Sequence, residues 1–160
     1  MDTKVKLSAI LEALDFQNDE IAYYLDKATG KIHMLGPDEL GAGEDEDPLE
    51  DYPEWQRESV EIARRVAQGH DEGLVALPTK WDLNEYEIMR DFCESLPEGT
   101  VQDAMCIAIQ GSGAFRRFKD AIHTFDVAEE WYKYRAERFK AIAVDWCHDY
   151  DLEFIDDAKT

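Results

Sequence analysis

The sequence predicts an α+β protein: an N-terminal helix and β-hairpin with one further short strand, followed by a helical C-terminal half. Three observations carry this. Apolar residues alternate at period two between Ile21 and Leu35, and beyond Pro53 they recur at helical spacing. Between these regions lies an acidic stretch punctuated by Gly and Pro. A chain of 160 residues fits a single domain over 1–160. The acidic stretch subdivides it into 1–40 (helix plus hairpin), 41–52 (acidic loop) and 53–160 (mainly helical).

Each element has a local reason. Ser8 is placed to cap a short helix whose Ile10, Leu11 and Leu14 share a face, with Asn18-Asp19 ending it. "EIAYYL" and "KIHML" alternate, and the short loop between them ends in Gly30, which makes a hairpin. In the segment that follows, six of the eight residues from Glu44 to Asp51 are acidic, which reads as a solvated loop. Pro53 suits a helix start, and Trp55, Ser59, Ile62 and Val66 form its expected inward stripe before Gly69 stops it. Leu74–Pro78 is a short strand candidate. Asp82 or Asn84 can cap a helix with Met89, Phe92, Cys93 and Leu96 on one face, ended by Pro97. Thr100 with Asp103, and Asp126 with Glu129, resemble capping boxes. The helix after Thr100 is expected to reach Gln110, and Gly111 to break it. Ser112 is placed to cap the next, which carries Phe115, Phe118, Ile122 and Phe125. The last helix is the longest, with Trp131, Tyr134, Phe139, Ile142 and Trp146 inward.

Bulk chemistry narrows the function. A hydrophobic content of 44% supports a packed core, and the formal net charge is -20. Such a charge disfavours direct nucleic-acid binding and anionic membranes. No apolar run approaches the roughly 20 residues that span a bilayer. The opening "MDTKVKLSAILEALDF" has no continuous apolar core, so no secretory leader is expected. Three cysteines without a CxxC pair fit a reducing, cytoplasmic setting.

One window departs from this acidity. Residues 111–140 carry seven Lys/Arg against five Asp/Glu, a charge of +2 in a chain whose remainder is -22. It opens with "GSGAFRRFKD". Helical spacing puts Phe115, Phe118 and Ile122 on one face, turns Arg116, Arg117 and Lys119 off it, and lets Arg116 pair with Asp120. Gly111 permits a left-handed turn, and Gly113 permits close helix approach. The helix start and its arginines also form a candidate site for a phosphate, a ligand carboxylate or an acidic segment of a partner. No P-loop is present, because no Gly-Lys-Ser/Thr follows. An RNA-recognition aromatic signature would need a strand, whereas these rings repeat at helical spacing.

"NEYEIMRDFCESL", "AIQGSGAFRRFKDAI" and "EEWYKYRAERFKAIAVDWC" resemble blocks of Uncharacterised Protein Family 0158, most specifically from Tyr86 to Trp146. The resemblance implies a bacterial, cytoplasmic α+β protein. It brings no activity, substrate or catalytic residue.

Other clusters are weaker. In "DWCHDYD", Asp145 and His148 share a helix face, but a metal would need a second contributing element. "EDEDPLED" lacks calcium-loop spacing. Cys93, Cys106 and Cys147 fall in helical patterns, as small apolar residues do. His33, His70 and His123 are isolated. No catalytic residue, metal or cofactor is therefore assigned. The expected function is non-catalytic binding or adaptor work with another protein as partner. The candidate contact residues are Gly111, Gly113, Arg116, Arg117, Lys119, Trp131 and Tyr132. The alternative is an acidic protein that binds a basic partner by imitating nucleic-acid charge, and a third reading is an unrecognised enzyme. The sequence does not specify the oligomeric state.

Overall fold

The first described elements are a two-residue strand, β1 (Val5–Lys6), and helix α1 (Leu7–Asp15), in a computed structural model that describes residues 4–16, 20–45, 47–69 and 72–157. Leu7, Ile10, Ala13 and Leu14 of α1 are buried at helical spacing. Ser8 lies inside the helix instead of capping it. Its N–H and hydroxyl both donate to the Asp157 carboxylate, at 2.9 and 2.7 Å. These bonds hold the Asp157 carboxyl below its ordinary range, with a smaller contribution from Lys6. The expected stop at Asn18-Asp19, and His70, fall outside the described residues.

The alternating runs form the predicted hairpin. Strands β2 (Ala22–Asp26) and β3 (Lys31–Leu35) pair antiparallel with Tyr23 opposite Met34 and Tyr24 opposite His33. One hairpin face turns Leu35 and Tyr24 toward Ile62 and Ala63 of the following long helix. Buried on that face are Asp26, which pairs with Arg65 at 3.5 Å, and His33, 3.9 Å from Glu58. Burial lowers the His33 pKa, and Glu58 partly opposes that shift.

The acidic stretch departs from the expected loop. Residues Pro37–Glu44 form helix α2. Pro37 occupies its first turn, and a Glu39 carboxylate oxygen accepts from the Gly36 N–H at 3.1 Å. Tertiary contact completes the reason. A Cβ built on Gly43 would lie 2.7 Å from the backbone of Ala63, so α2 crosses the next helix at van der Waals contact. A 3₁₀ turn follows (Leu49–Asp51). Arg57 donates to the Tyr52 and Glu50 carbonyls, and Arg64 to that of Asp47. The segment after α2 is thus held by its backbone, and the carboxylates of Glu44, Asp45, Asp47, Glu50 and Asp51 are left exposed.

Helix α3 (Glu54–Gln68) buries Val60, Ile62 and Ala63. Trp55 was expected inward but is 77% exposed. It shares a face with Ile62, yet the α2 crossing at Ala63 lies about 12 Å farther along the axis at 1.5 Å per residue. Strand β4 (Leu74–Ala76) joins the other edge of β2 antiparallel, giving the order β3-β2-β4.

Five helices follow: α4 (Lys80–Leu83), α5 (Glu85–Ser95), α6 (Thr100–Ala108), α7 (Ala114–Thr124) and α8 (Ala128–Asp149). Asn84 caps α5, its side chain accepting from the Glu87 N–H at 3.3 Å. The other expected caps do not form. Gly99 precedes α6 and Gly113 precedes α7, neither with a side-chain cap. Asp126 takes a left-handed conformation, φ 56°, and closes α7. The Val127 N–H reaches Ile122 O at 2.9 Å and the Asp126 N–H reaches His123 O at 3.3 Å, a Schellman ending. Asp151 ends α8 in the same way, through Leu152 N–H to Cys147 O at 2.8 Å.

A last strand, β5 (Phe154–Ile155), pairs parallel with β1, setting Val5 opposite Phe154. Two-residue strands carry no readable periodicity, and neither was foreseen.

The α+β assignment therefore holds, and the chain divides into two compact units. The first comprises Met1–Thr79 with Ala143–Lys159, and the second comprises Lys80–Ile142. In the first, the Trp146 indole N–H donates to Ala76 O at 3.0 Å. In the second, Phe92, Phe118 and Trp131 meet edge to face, with centroids 4.7 to 6.3 Å apart. No described helix is long and apolar enough to cross a membrane.

Candidate functional site

The basic window lies wholly within the second unit, and its geometry begins at the end of α6. The last carbonyls of a helix lack internal partners. Arg117, from the first turn of α7, reaches back to the last carbonyl of α6 and to two more in the turn that follows it. Its Nε donates to Ala108 O at 2.9 Å, Nη1 to Ser112 O at 2.6 Å, and Nη2 to Gln110 O. From α5 the Tyr86 hydroxyl donates to Ile109 O at 2.9 Å. Two side chains therefore satisfy four carbonyls, a charge-complementary arrangement at a helix C-terminus.

The glycines make this possible. Gly111 and Gly113 both sit at positive φ, 77° and 81°. At Gly113 a Cβ would also stand 2.9 Å from Arg117 Nη1, in the path of the guanidinium. Gly111 meets no such neighbour within 4 Å, so only its backbone conformation favours glycine.

The remaining predicted residues separate. Trp131 is 5% exposed inside the aromatic cluster. Tyr132, its neighbour, is half exposed. Arg116 and Lys119 are exposed, and neither forms an ion pair among the described residues, so the expected Arg116–Asp120 pair is absent there. Other cations of the unit are engaged. Arg135 bonds Glu85 at 2.6 Å and lies over the Phe139 ring, while Arg138 bonds Asp91 at 2.8 Å and the Tyr134 hydroxyl at 3.0 Å.

This geometry separates two adjacent arginines by experiment. Arg117→Ala is expected to lose about 2 kcal/mol of stability, the scale of charged hydrogen bonds removed from carbonyls that water then solvates. Arg116→Ala is expected to stay within about 0.5 kcal/mol of the parent. Urea titration of both variants decides it. Equal losses would mean that Arg117 does not clamp the turn.

Sequence reasoning missed a concavity beside α7. Phe115 was expected inward, but the buried face of α7 centres on Ala114, Phe118, Ala121 and Ile122, leaving Phe115 at its edge and 56% exposed. There it joins Trp81, 80% exposed on α4, and Tyr86, 38% exposed at the start of α5. These rings, with Lys80, Asn84 and Glu85, line a hollow of about 580 Å³. Asn84 shapes it, since its left-handed φ of 43° turns the chain between α4 and α5. Helix phase sets Lys119 one turn beyond Phe115 on the same side. The exposed aromatics of "TKWDLNEY" were the available signal.

The thiols take no part in the site. Burial pushes Cys93 up to about 12 and Cys147 up to about 11, so both stay protonated at neutral pH. Among the described residues no three His, Cys, Asp or Glu side chains are grouped to hold a metal.

Together these features define an α+β protein whose helical unit ties its helix ends with Arg117 and Tyr86 and presents an aromatic hollow beside them. The chain belongs to UPF0158, an uncharacterised protein family whose sequence model matches residues 3–159. It is similar to the UPF0158 protein PA5073 of Pseudomonas aeruginosa, with 23% identity over 134 residues, which span 83% of this chain and 75% of that protein. No solved structure matches it significantly.

Proposed function

We propose that this is a non-catalytic protein-binding or adaptor protein of the bacterial cytoplasm. Its partner meets the hollow between Trp81, Tyr86 and Phe115, with Arg116 and Lys119 at the rim. The observation that carries this reading is the convergence of three exposed aromatic rings, from three helices, on one concave surface. Aromatic and arginine side chains contribute most of the binding energy at protein interfaces, and exposed rings are unfavourable without a partner. Charge favours a partner segment that combines an apolar anchor with acidic residues, because the hollow adjoins the one non-acidic window of a chain at -20. Tyr132 is a further contact candidate on the exposed side of α8.

The test is affinity capture from bacterial cytosol at low and high salt, followed by titration of the captured protein against variants. Trp81→Ala combined with Phe115→Ala is expected to weaken binding at least tenfold, about 1.4 kcal/mol, with far-UV circular dichroism unchanged. The complex is expected to survive high salt. Binding that ignores the aromatic change and vanishes with salt would overturn the reading and favour recognition of a basic partner by the acidic surface.

A further inference from the structure

We infer that the first unit holds a second, independent site: a groove between α1 and the β2–β3 hairpin that binds an anionic amphiphile, an aliphatic chain ending in a carboxylate or phosphate. The groove measures about 830 Å³, within the size range of small-molecule sites.

Its construction follows from two periodicities. On α1, Ala9, Glu12 and Ala13, with Phe16 at its C-cap, recur at i, i+3, i+4 and i+7 and line one wall. The two alanines keep that wall shallow, so the hairpin does not close against it. On the hairpin, Ile21 and Tyr23 face the groove from one strand side, and Ile32 and Met34 from the other, each pair two residues apart. This is the face opposite the one that packs on α3. Phe16 and Met34 are 65% and 58% exposed, so apolar surface stands open at the mouth. The polar group within the wall is already satisfied, since the Tyr23 hydroxyl donates to Phe16 O at 3.2 Å. The floor therefore offers an alkyl chain apolar contact without orphaning a donor.

Charge selects the head group. Lys4, just before β1, and Lys6, its last residue, flank the buried Val5 and both line the groove. Neither forms a salt bridge among the described residues, while Lys6 also attracts the nearby Asp157 carboxylate. The third lysine at the rim, Lys31, is held by Glu58 at 2.9 Å. Glu12 is the carboxylate on the lining, and it disfavours a second negative charge near the α1 wall. In a chain at -20, two adjacent unbonded ammonium groups beside open apolar surface complement an anionic head with an alkyl tail.

The experiment is isothermal titration of the full chain with decanoate, decyl phosphate and decanol. Saturable one-site binding is expected for decanoate and decyl phosphate, with decanol at least tenfold weaker. Lys4→Glu with Lys6→Glu is expected to reduce decanoate affinity at least tenfold. Ala9→Trp, at a half-buried position, is expected to fill the groove and abolish binding while far-UV circular dichroism is preserved. Should Ala9→Trp distort the fold, Phe16→Ser is the second blocking variant, with a tenfold loss expected. Equal affinity for decanol and decanoate, or undiminished decanoate binding in the folded variants, would overturn the site. Binding to phosphatidylglycerol vesicles without binding to free decanoate would also overturn it, since the face would then be a membrane contact.

Discussion

Replacing Trp131 by alanine is expected to remove about 3–5 kcal/mol of stability, the usual range for deleting a buried aromatic side chain. Trp131 is 5% exposed and its ring meets those of Phe92 and Phe118 edge to face, at 5.4 and 4.7 Å between centroids. Each such pair contributes about 0.5–1.5 kcal/mol beyond its buried area. Those rings come from α5 and α7, so one deletion leaves a void shared by three helices. Urea unfolding followed by far-UV circular dichroism measures the loss without relying on the fluorescence of the deleted indole. A loss below about 1 kcal/mol would show that Trp131 is not a core residue and would return it to the surface. The same variant bears on function. Weakened partner binding by Trp131→Ala has a structural cause, whereas Trp81 and Phe115 can be truncated from an exposed surface.

Gly43→Ala and Gly41→Ala are expected to move stability in opposite directions. Both lie in α2, and alanine is favoured over glycine in a helix by about 1 kcal/mol. At Gly41 a Cβ meets nothing within 4 Å, so that gain is expected in full. At Gly43 it would stand 2.7 Å from the backbone C and O of Ala63. Backbone cannot rotate away as a side-chain tip does, so the two helices must separate. Overpacking of this kind costs about 1–3 kcal/mol and sometimes more, so a net loss of about 1 kcal/mol is expected after the propensity gain. Paired thermal melts of the two variants read the difference. If Gly43→Ala stabilised the protein as Gly41→Ala does, α2 and α3 would not be in close contact there.

The patterned elements were legible before any coordinates. The hairpin follows from alternation at 22–35, α5 from the Met89, Phe92 and Cys93 face, and the left-handed turn at Gly111 from its chemistry, although α6 ends earlier, at Ala108. Local pattern suffices in these cases because the side-chain period reports directly on one buried face. The errors share a different cause. Thr100, Ser112 and Asp126 each have the composition of a cap, but the backbone around them takes left-handed or extended turns set by the neighbouring helix. Trp55 and Phe115 have the right phase for burial and lack a packing partner at that point on the helix. Exposure depends on what lies opposite, which periodicity does not encode. Helix α2 was read as loop because its Gly and acidic residues are weak helix formers, and it is stabilised by contact with α3.

The candidate sites divide along the same line. That Gly111, Gly113 and the following arginines form a special junction could be read from residue types. Which arginine closes the turn could not, because the recipients of Arg117 are backbone carbonyls at the end of α6 and in the turn after it. The sequence by itself determined the α+β class, the charge of -20 and the basic window within it, since these depend on residue type and near-neighbour spacing. The tertiary structure alone decided that Trp81, Tyr86 and Phe115 share one hollow, and that β1 meets β5. Burial and convergence are properties of segments distant in the chain, and only their packing brings them together.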